Sequence, residues 1–311
     1  MNAATKASPL PKRQPAPCPA PGVYENVSNA TYQKVNAVQS SGLKKMADSP
    51  LVYKHWLDTD DSGTTAALQF GIAVHARLLE PRRFAVEALE VAGLKDGAVA
   101  ATWAKHAAAN PGKIILAEGW GECIETIAQR VSANRDASDV LHDPDGVSEV
   151  MIVWRDEVTG LLCKSLLDRV TFTDTTVRIT AVKTAREVED FAFGKACWDN
   201  GYHLELAHSI AAARAAAEFD PRFAGKDIVF EWLTIQNDEP FDVSVDDPDD
   251  QFCEVGEKHY RQLMNMAARC YLNDSWPGVA RTLGGERAFR RTLALPAYAL
   301  KQFNIGAGGG M

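Results

Sequence analysis

After the turn His142-Asp-Pro-Asp-Gly146 the chain changes character, and this change constrains the fold most. Three short apolar runs follow in succession: EVMIVW (149–154), LLCKSLLDRV (161–170) and TVRITAV (176–182). They are rich in β-branched residues and separated by turn signals, so they predict three consecutive strands. The first two form a hairpin around Glu157–Gly160. HLELAHSIAAARAAAEF (203–219) predicts a helix and DIVFEWLTI (227–235) a fourth strand. An acidic loop is expected from Asp238 to Glu257, then a long helix to about Leu272. Upstream, 29–56 reads as helical with a break at Ser40-Ser41-Gly42, and Thr64–Leu79 as a helix stopped by Pro81. The Ala-rich stretch 85–138 reads as several helices and turns. Helices before, between and after strands give an α/β core with a mixed central sheet flanked by helices.

Composition narrows the class. Of 311 residues, 46% are hydrophobic and 24% charged, which excludes global disorder and a collagen-like chain. No apolar run approaches the roughly 20 residues that span a bilayer, and the first residues carry no apolar signal-peptide core. Residues 1–22 hold six of the fifteen prolines, so a disordered Pro-rich leader is expected there, with a flexible Gly-rich tail at 305–311. Residues 23–304 then form one domain. The six cysteines include no CxxC pair, which suits reduced thiols in a cytoplasmic protein. The net charge of -8 argues against a protein that coats nucleic acid, but not against one local basic groove.

The chemistry points to Asp168–Lys183. Residues two apart on a strand share a face, so positions 181 and 183 project together and could face Asp168 if the strands pair. An aspartate, an acid at 181 and a lysine at 183 would make a Mg²⁺ phosphodiesterase site: carboxylates hold the hard cation, and the lysine serves the attacking water. Residue 181 is alanine, however. On spacing alone, a surface ion pair between Asp168 and an arginine explains the pattern equally well. There is no GxxxxGK[ST] phosphate loop, GxSxG elbow or HExxH pair. The acidic run Asp246–Asp250 lacks EF-hand spacing and reads as a solvated loop.

The resemblance is wider than this motif. GIAVHARLLEPRRF (71–84), WRDEVTGLLCKSLLDRV (154–170), ITAVKT (179–184), GYHLELAHS (201–209), NDSWPGV (273–279) and LALPAYA (293–299), with SSGLKKMADSPLVY (40–53) upstream, resemble in order the segments of the exodeoxyribonuclease VIII (RecE-type) family, a RecB-like branch of the PD-(D/E)xK nucleases. The resemblance implies the restriction-endonuclease-like core and assigns roles. His75 and Asp168 would be metal ligands, Val182 would offer its backbone carbonyl, and Lys183 would position water and stabilise the scissile phosphate. From the residues themselves, Arg281, Arg287 and Arg290, which follow the Trp-Pro-Gly turn, could touch DNA phosphates or simply solubilise a helix, and Tyr202 is a further candidate DNA contact. The cofactor would be Mg²⁺, with Mn²⁺ as a substitute.

The chain departs from the family in several places. Ala181 stands at the second acid, Glu205 where glutamine is usual, Ser209 where tyrosine is frequent and Leu166 where arginine is common. Three accounts of Ala181 are open: an engineered inactivation, a natural loss in a degenerate copy, or replacement by another acid, for which Glu205 is the candidate. Two functions follow. One is a Mg²⁺-dependent 5′-to-3′ exonuclease on linear double-stranded DNA, leaving 3′ single-stranded tails for phage-type recombination. It would work beside a RecT-like single-strand annealing protein, as a homo-oligomeric ring away from membranes. The other is a degenerate module that grips DNA ends or an annealing protein without cutting.

Overall fold

The computed structural model describes residues 19–59 and 65–279. Its first half is mostly helical: β1 (Gly22–Tyr24), α1 (Asn29–Lys34), α2 (Ser40–Asp48), α3 (Pro50–Asp58), α4 (Ala66–Leu79) and α5 (Pro81–Glu87). There follow β2 (Ala88–Glu90), α6 (Ala100–Ala109), β3 (Ile114–Leu116), α7 (Trp120–Ala133) and α8 (Arg135–His142). The second half holds the long strands: β4 (Val147–Arg155), β5 (Leu162–Phe172) and β6 (Thr176–Ala185). Then come α9 (Asp190–Asp199), α10 (Tyr202–Ala216), β7 (Asp227–Gln236), β8 (Val243–Asp246) and α11 (Asp250–Asn273). Among the described residues no helix is long and apolar enough to cross a membrane.

The main sheet runs β1-β4-β5-β6-β7-β8. Every neighbour is antiparallel except β6 and β7, which run parallel through a ten-residue register from Thr176↔Asp227 to Ala185↔Gln236. The expected mixed sheet flanked by helices is therefore present. A parallel pair needs a crossover, and α9 and α10 supply it. Strand alternation sends Val177, Ile179, Ala181, Phe230 and Trp232 into one apolar cluster with α2, α10 and α11. It sends Val182, Leu233 and Ile235 into a second cluster with α4, α7 and β3. Helices on both faces are what strands buried on both faces require.

Several sequence expectations are corrected. Ser40-Ser41-Gly42 does not break a helix but forms the first turn of α2; the breaks fall at 35–39 and at Ser49. Gly42 is there for packing: a Cβ on it would stand 2.8 Å from Tyr53 of α3. The acidic loop ends early, because Asp249 caps α11 by accepting from the Phe252 amide, and Asp250 lies in the first turn. Acidic side chains are favoured there by the helix dipole and the free amides. Pro81 stops α4 as expected and also opens α5 at a position that needs no amide proton. The Ala-rich region also contains the parallel pair β2–β3, and α9 and β8 were not anticipated.

Two details hold the α10 layer. Gly256 lets α11 approach α10 closely, since a Cβ there would lie 2.6 Å from the His203 carbonyl oxygen. The Trp-Pro-Gly segment packs rather than reacts: Trp276 lies 5.8 Å from the Tyr53 ring and 5.0 Å from the Tyr271 ring.

Candidate functional site

The site begins where two strands part. The β5–β6 ladder ends at Arg169↔Thr180. Beyond it the edge of β6 that faces β5 has lost its backbone partner, and buried peptide groups must find others. Val182 finds two. Its amide donates to Asp168 Oδ2 at 2.8 Å, and its carbonyl lies 2.8 Å from His75 Nε2. His75 stands on α4, which packs against the opposite side of β6 from α10. His75 Nδ1 is also 3.9 Å from Asp168 Oδ2. One strand notch therefore gathers His75, Asp168 and the Val182 carbonyl, while the Val182 side chain is buried in the α4-side cluster.

A third group joins them that the sequence reading did not single out. Glu149 on β4 stands opposite Asp168, in a gap between the paired positions Ser148↔Arg169 and Val150↔Leu167. Its φ is +54°, in the left-handed region that non-glycine residues rarely enter. Such strain costs about 1–3 kcal/mol and persists only where the surroundings enforce it. Val147 and Val150 pack against the same cluster, so the pleat shifts phase across Glu149. His75, Glu149 and Asp168 each offer a donor atom within 4.8 Å of the others. Burial first, then the charges of Asp168 and Glu80, push the Glu149 carboxyl up to about 8, against a smaller pull from Arg83. A buried carboxylate beside a second carboxylate and an imidazole is a donor set that suits a divalent cation.

Glu149 was detectable in the sequence. Asp156 and Leu161 close the hairpin turn through a 2.9 Å backbone hydrogen bond. Counting seven residues outward from each reaches 149 and 168. A charged residue opening the apolar run EVMIVW, opposite the principal aspartate, was the signal.

The other side of β6 carries a different cluster. Lys183 Nζ donates to Glu205 Oε1 at 2.6 Å, and Lys44 Nζ to Glu205 Oε2 at 3.2 Å. Both ammonium groups lie over the Tyr202 ring, at 5.0 Å for Lys44 and 5.2 Å for Lys183. Burial alone would raise the Glu205 carboxyl, but the charges and hydrogen bonds of the two lysines outweigh it and hold it at about 2. Burial likewise pulls the Lys183 ammonium down, and Glu205, Asp168 and Tyr202 more than reverse this, leaving it well above its ordinary value. Glu205 thus spends both oxygens on lysines and stands outside the His75–Glu149–Asp168 group. The Ala181 methyl is buried, 5% exposed, in the α10-side apolar cluster.

Asp168 does not pair with Arg169, whose guanidinium instead bonds the Val140 and Asp143 carbonyls and Ser148 Oγ. Ser209 is buried within α10. Arg281, Arg287 and Arg290, the leader up to 18 and the tail lie outside the described residues.

No curated protein sequence matches the chain. Among solved structures, the crystal structure of a "putative exonuclease" from Eubacterium rectale superposes with a TM-score of 0.56, at 13% sequence identity, over 92% of this chain and 100% of that one. That likeness speaks for the fold alone. A family described as the PDDEXK-like domain of unknown function (DUF3799) matches residues 39–284. With strands that part around an aspartate, and a lysine-bearing strand paired in parallel to the next, the chain belongs to this PDDEXK-like family.

Proposed function

We propose that the protein is a divalent-metal-dependent nuclease that digests linear double-stranded DNA from the 5′ end and leaves 3′ single-stranded tails. The observation that carries the reading is the convergence of His75, Glu149 and Asp168 at a strand notch, next to Lys183. His75, Glu149, Asp168 and the Val182 carbonyl would hold Mg²⁺ or Mn²⁺. When bound, such a cation activates water and offsets charge on a phosphate. Lys183, held charged and fixed by Glu205, would stabilise the negative charge that a scissile phosphate gathers. Glu205 acts here as a positioning residue. Tyr202 covers both lysines and so restricts their motion.

Polarity of digestion, the recombination role, a RecT-like annealing partner and a ring-shaped homo-oligomer are the finer parts of the proposal. They rest on the RecE-type segments of the sequence. A ring would let an acidic chain hold DNA, since only its channel need be basic.

The test is digestion of 5′-phosphorylated linear duplex with Mg²⁺, beside calorimetric Mn²⁺ titration, for the wild type and Asp168→Asn. Cleavage and metal binding by the wild type, both lost in the variant, are expected. Metal-independent duplex binding with no cleavage and no Mn²⁺ uptake would instead support the degenerate module.

A further inference from the structure

Lys44 reaches the Lys183–Glu205 pair from α2, 161 residues before Glu205 in the chain. Helix α2 is fixed by buried Gly42, Leu43 and Met46, and the latter two share an apolar cluster with Leu204, Leu206 and Ala207 of α10. The stem of Lys44 lies against the start of α10. A Cβ on Gly201 would stand 3.0 Å from Lys44 Cγ, and Gly201 has a left-handed φ of +66° that favours glycine in any case. The ammonium then lies 5.0 Å from the centre of the Tyr202 ring. Stem, ring and carboxylate together hold Lys44 in one place, unlike the two mobile side chains of an ordinary surface ion pair.

The two lysines take different oxygens of Glu205: Lys183 Nζ lies 2.6 Å from Oε1 and Lys44 Nζ 3.2 Å from Oε2. Charge shows what the second lysine adds. Lys183 and Glu205 alone would form a neutral pair, whose field falls off faster than that of a charge. Two ammonium groups around one carboxylate keep one net positive charge. The imidazoles on the same helix, His203 and His208, are held below their ordinary range by burial and add no charge at neutral pH. Asp168 acts electrostatically on Lys183, so the cluster and the notch are close enough to feel one another.

An anchored lysine faces a conflict. The carboxylate that fixes its ammonium also opposes its effect on an anion nearby, because the two charges of the pair act together at a distance. A third charge on the far oxygen resolves the conflict: the anchor stays, and its negative charge is balanced from the other side. Lys44 occupies that place.

We propose that Lys44 is a positioning residue for the cleavage reaction: it balances Glu205, so that Glu205 holds Lys183 in place without cancelling its charge toward the scissile phosphate. The proposal rests on the nuclease reading of the adjoining notch. It deepens that reading by giving α2 a part in the site.

The test compares Mg²⁺-dependent digestion of 5′-phosphorylated linear duplex by the wild type, Lys44→Met, Lys44→Arg, and Lys44→Met combined with Glu205→Gln. Anisotropy of the uncut duplex in EDTA is measured beside it. Lys44→Met keeps the stem and removes the charge, and should lower kcat/KM about tenfold or more while Mn²⁺ affinity stays within about twofold. Adding Glu205→Gln removes the unbalanced carboxylate, while the amide oxygen still accepts from Lys183. One net positive charge returns, and cleavage should recover to within about threefold of the wild type. Lys44→Arg should also stay within about threefold, because the charge is kept. Duplex affinity in EDTA should fall and recover in the same order. Should Lys44→Met melt below the assay temperature, Lys44→Gln takes its place. A double variant no more active than Lys44→Met, with melting temperatures unchanged, would show a packing role only and overturn the proposal. That result beside wild-type cleavage would leave the nuclease reading standing. Affinity that falls and recovers as expected, without cleavage by the wild type, would support the charge balance and sink the nuclease reading.

Discussion

The two charged clusters that flank β6 differ in whether they are finished. On the α10 side, Glu205 is matched by two lysines at one tyrosine ring, and each of its carboxylate oxygens has a cationic partner. On the α4 side, Glu149 and Asp168 crowd one another, the backbone at Glu149 is strained, and the Glu149 carboxyl is pushed up to about 8. A folded chain keeps an uncompensated acidic cluster at a cost, and a cation would remove that cost. In the proposed function the satisfied cluster sets geometry, and the unsatisfied one is where the cation would bind. This contrast bears on Ala181. The chain lacks the acid at the expected position, yet it holds a third donor in the notch, contributed by a different strand.

The comparison can be broken most directly at Glu149. Glu149→Gln should lower Mg²⁺-dependent cleavage by about 100-fold or more and weaken Mn²⁺ binding measured by calorimetry. Unchanged Mn²⁺ affinity would return the search for the third donor to α10. Next, Lys183→Met should cut cleavage by about 100-fold while Mn²⁺ binding stays within about twofold, because the lysine serves the phosphate and not the cation. Equal loss of both would erase the distinction between the clusters.

Ala181→Asp sharpens the contrast. It places a carboxylate in an apolar cluster and should cost about 2–4 kcal/mol in denaturant unfolding, with cleavage changed less than about tenfold. A large gain in cleavage would show that the notch lacks its third ligand after all.

A further effect is a pH dependence of the metal-free protein. Glu149 titrates near 8 when folded against 4.5 ordinarily. Between those values the folded state holds a proton that the unfolded chain has released, so stability falls as pH rises. Melting in EDTA should show wild type losing ground to Glu149→Gln from pH 5 to 8, with added Mn²⁺ closing the gap. A constant difference across that range would mean that Glu149 is not held protonated.

Much of this was legible in the sequence because strand alternation is a strong local signal. The hairpin, β6 and β7 follow from apolar runs and turns, and once the strands pair they can bring Asp168 near Lys183. The positions missed share one cause: tertiary contact assigned to a residue a role that its local pattern does not show. Gly42 reads as a breaker until Tyr53 packs on it. Asp249 reads as part of a loop until Phe252 offers its amide. Glu149 reads as an edge charge until the hairpin register is counted. The environment of Glu205 depends on Lys44, 161 residues away, and no spacing rule reaches that far.

Gly256 bears on all of this from a distance. Because it has no side chain, α11 comes so near α10 that a Cβ would not fit against the His203 carbonyl, and Glu205 sits two residues along α10 from that carbonyl. The gap between these helices therefore acts as a spacer gauge for the lysine anchor. A methyl group there would shift α10 as a rigid rod, and the Lys183 ammonium would follow its carboxylate. The spacing of the lysine anchor can thus drift through a residue that faces His203 and Ala207 rather than the charged groups, in the helix last in chain order among those described.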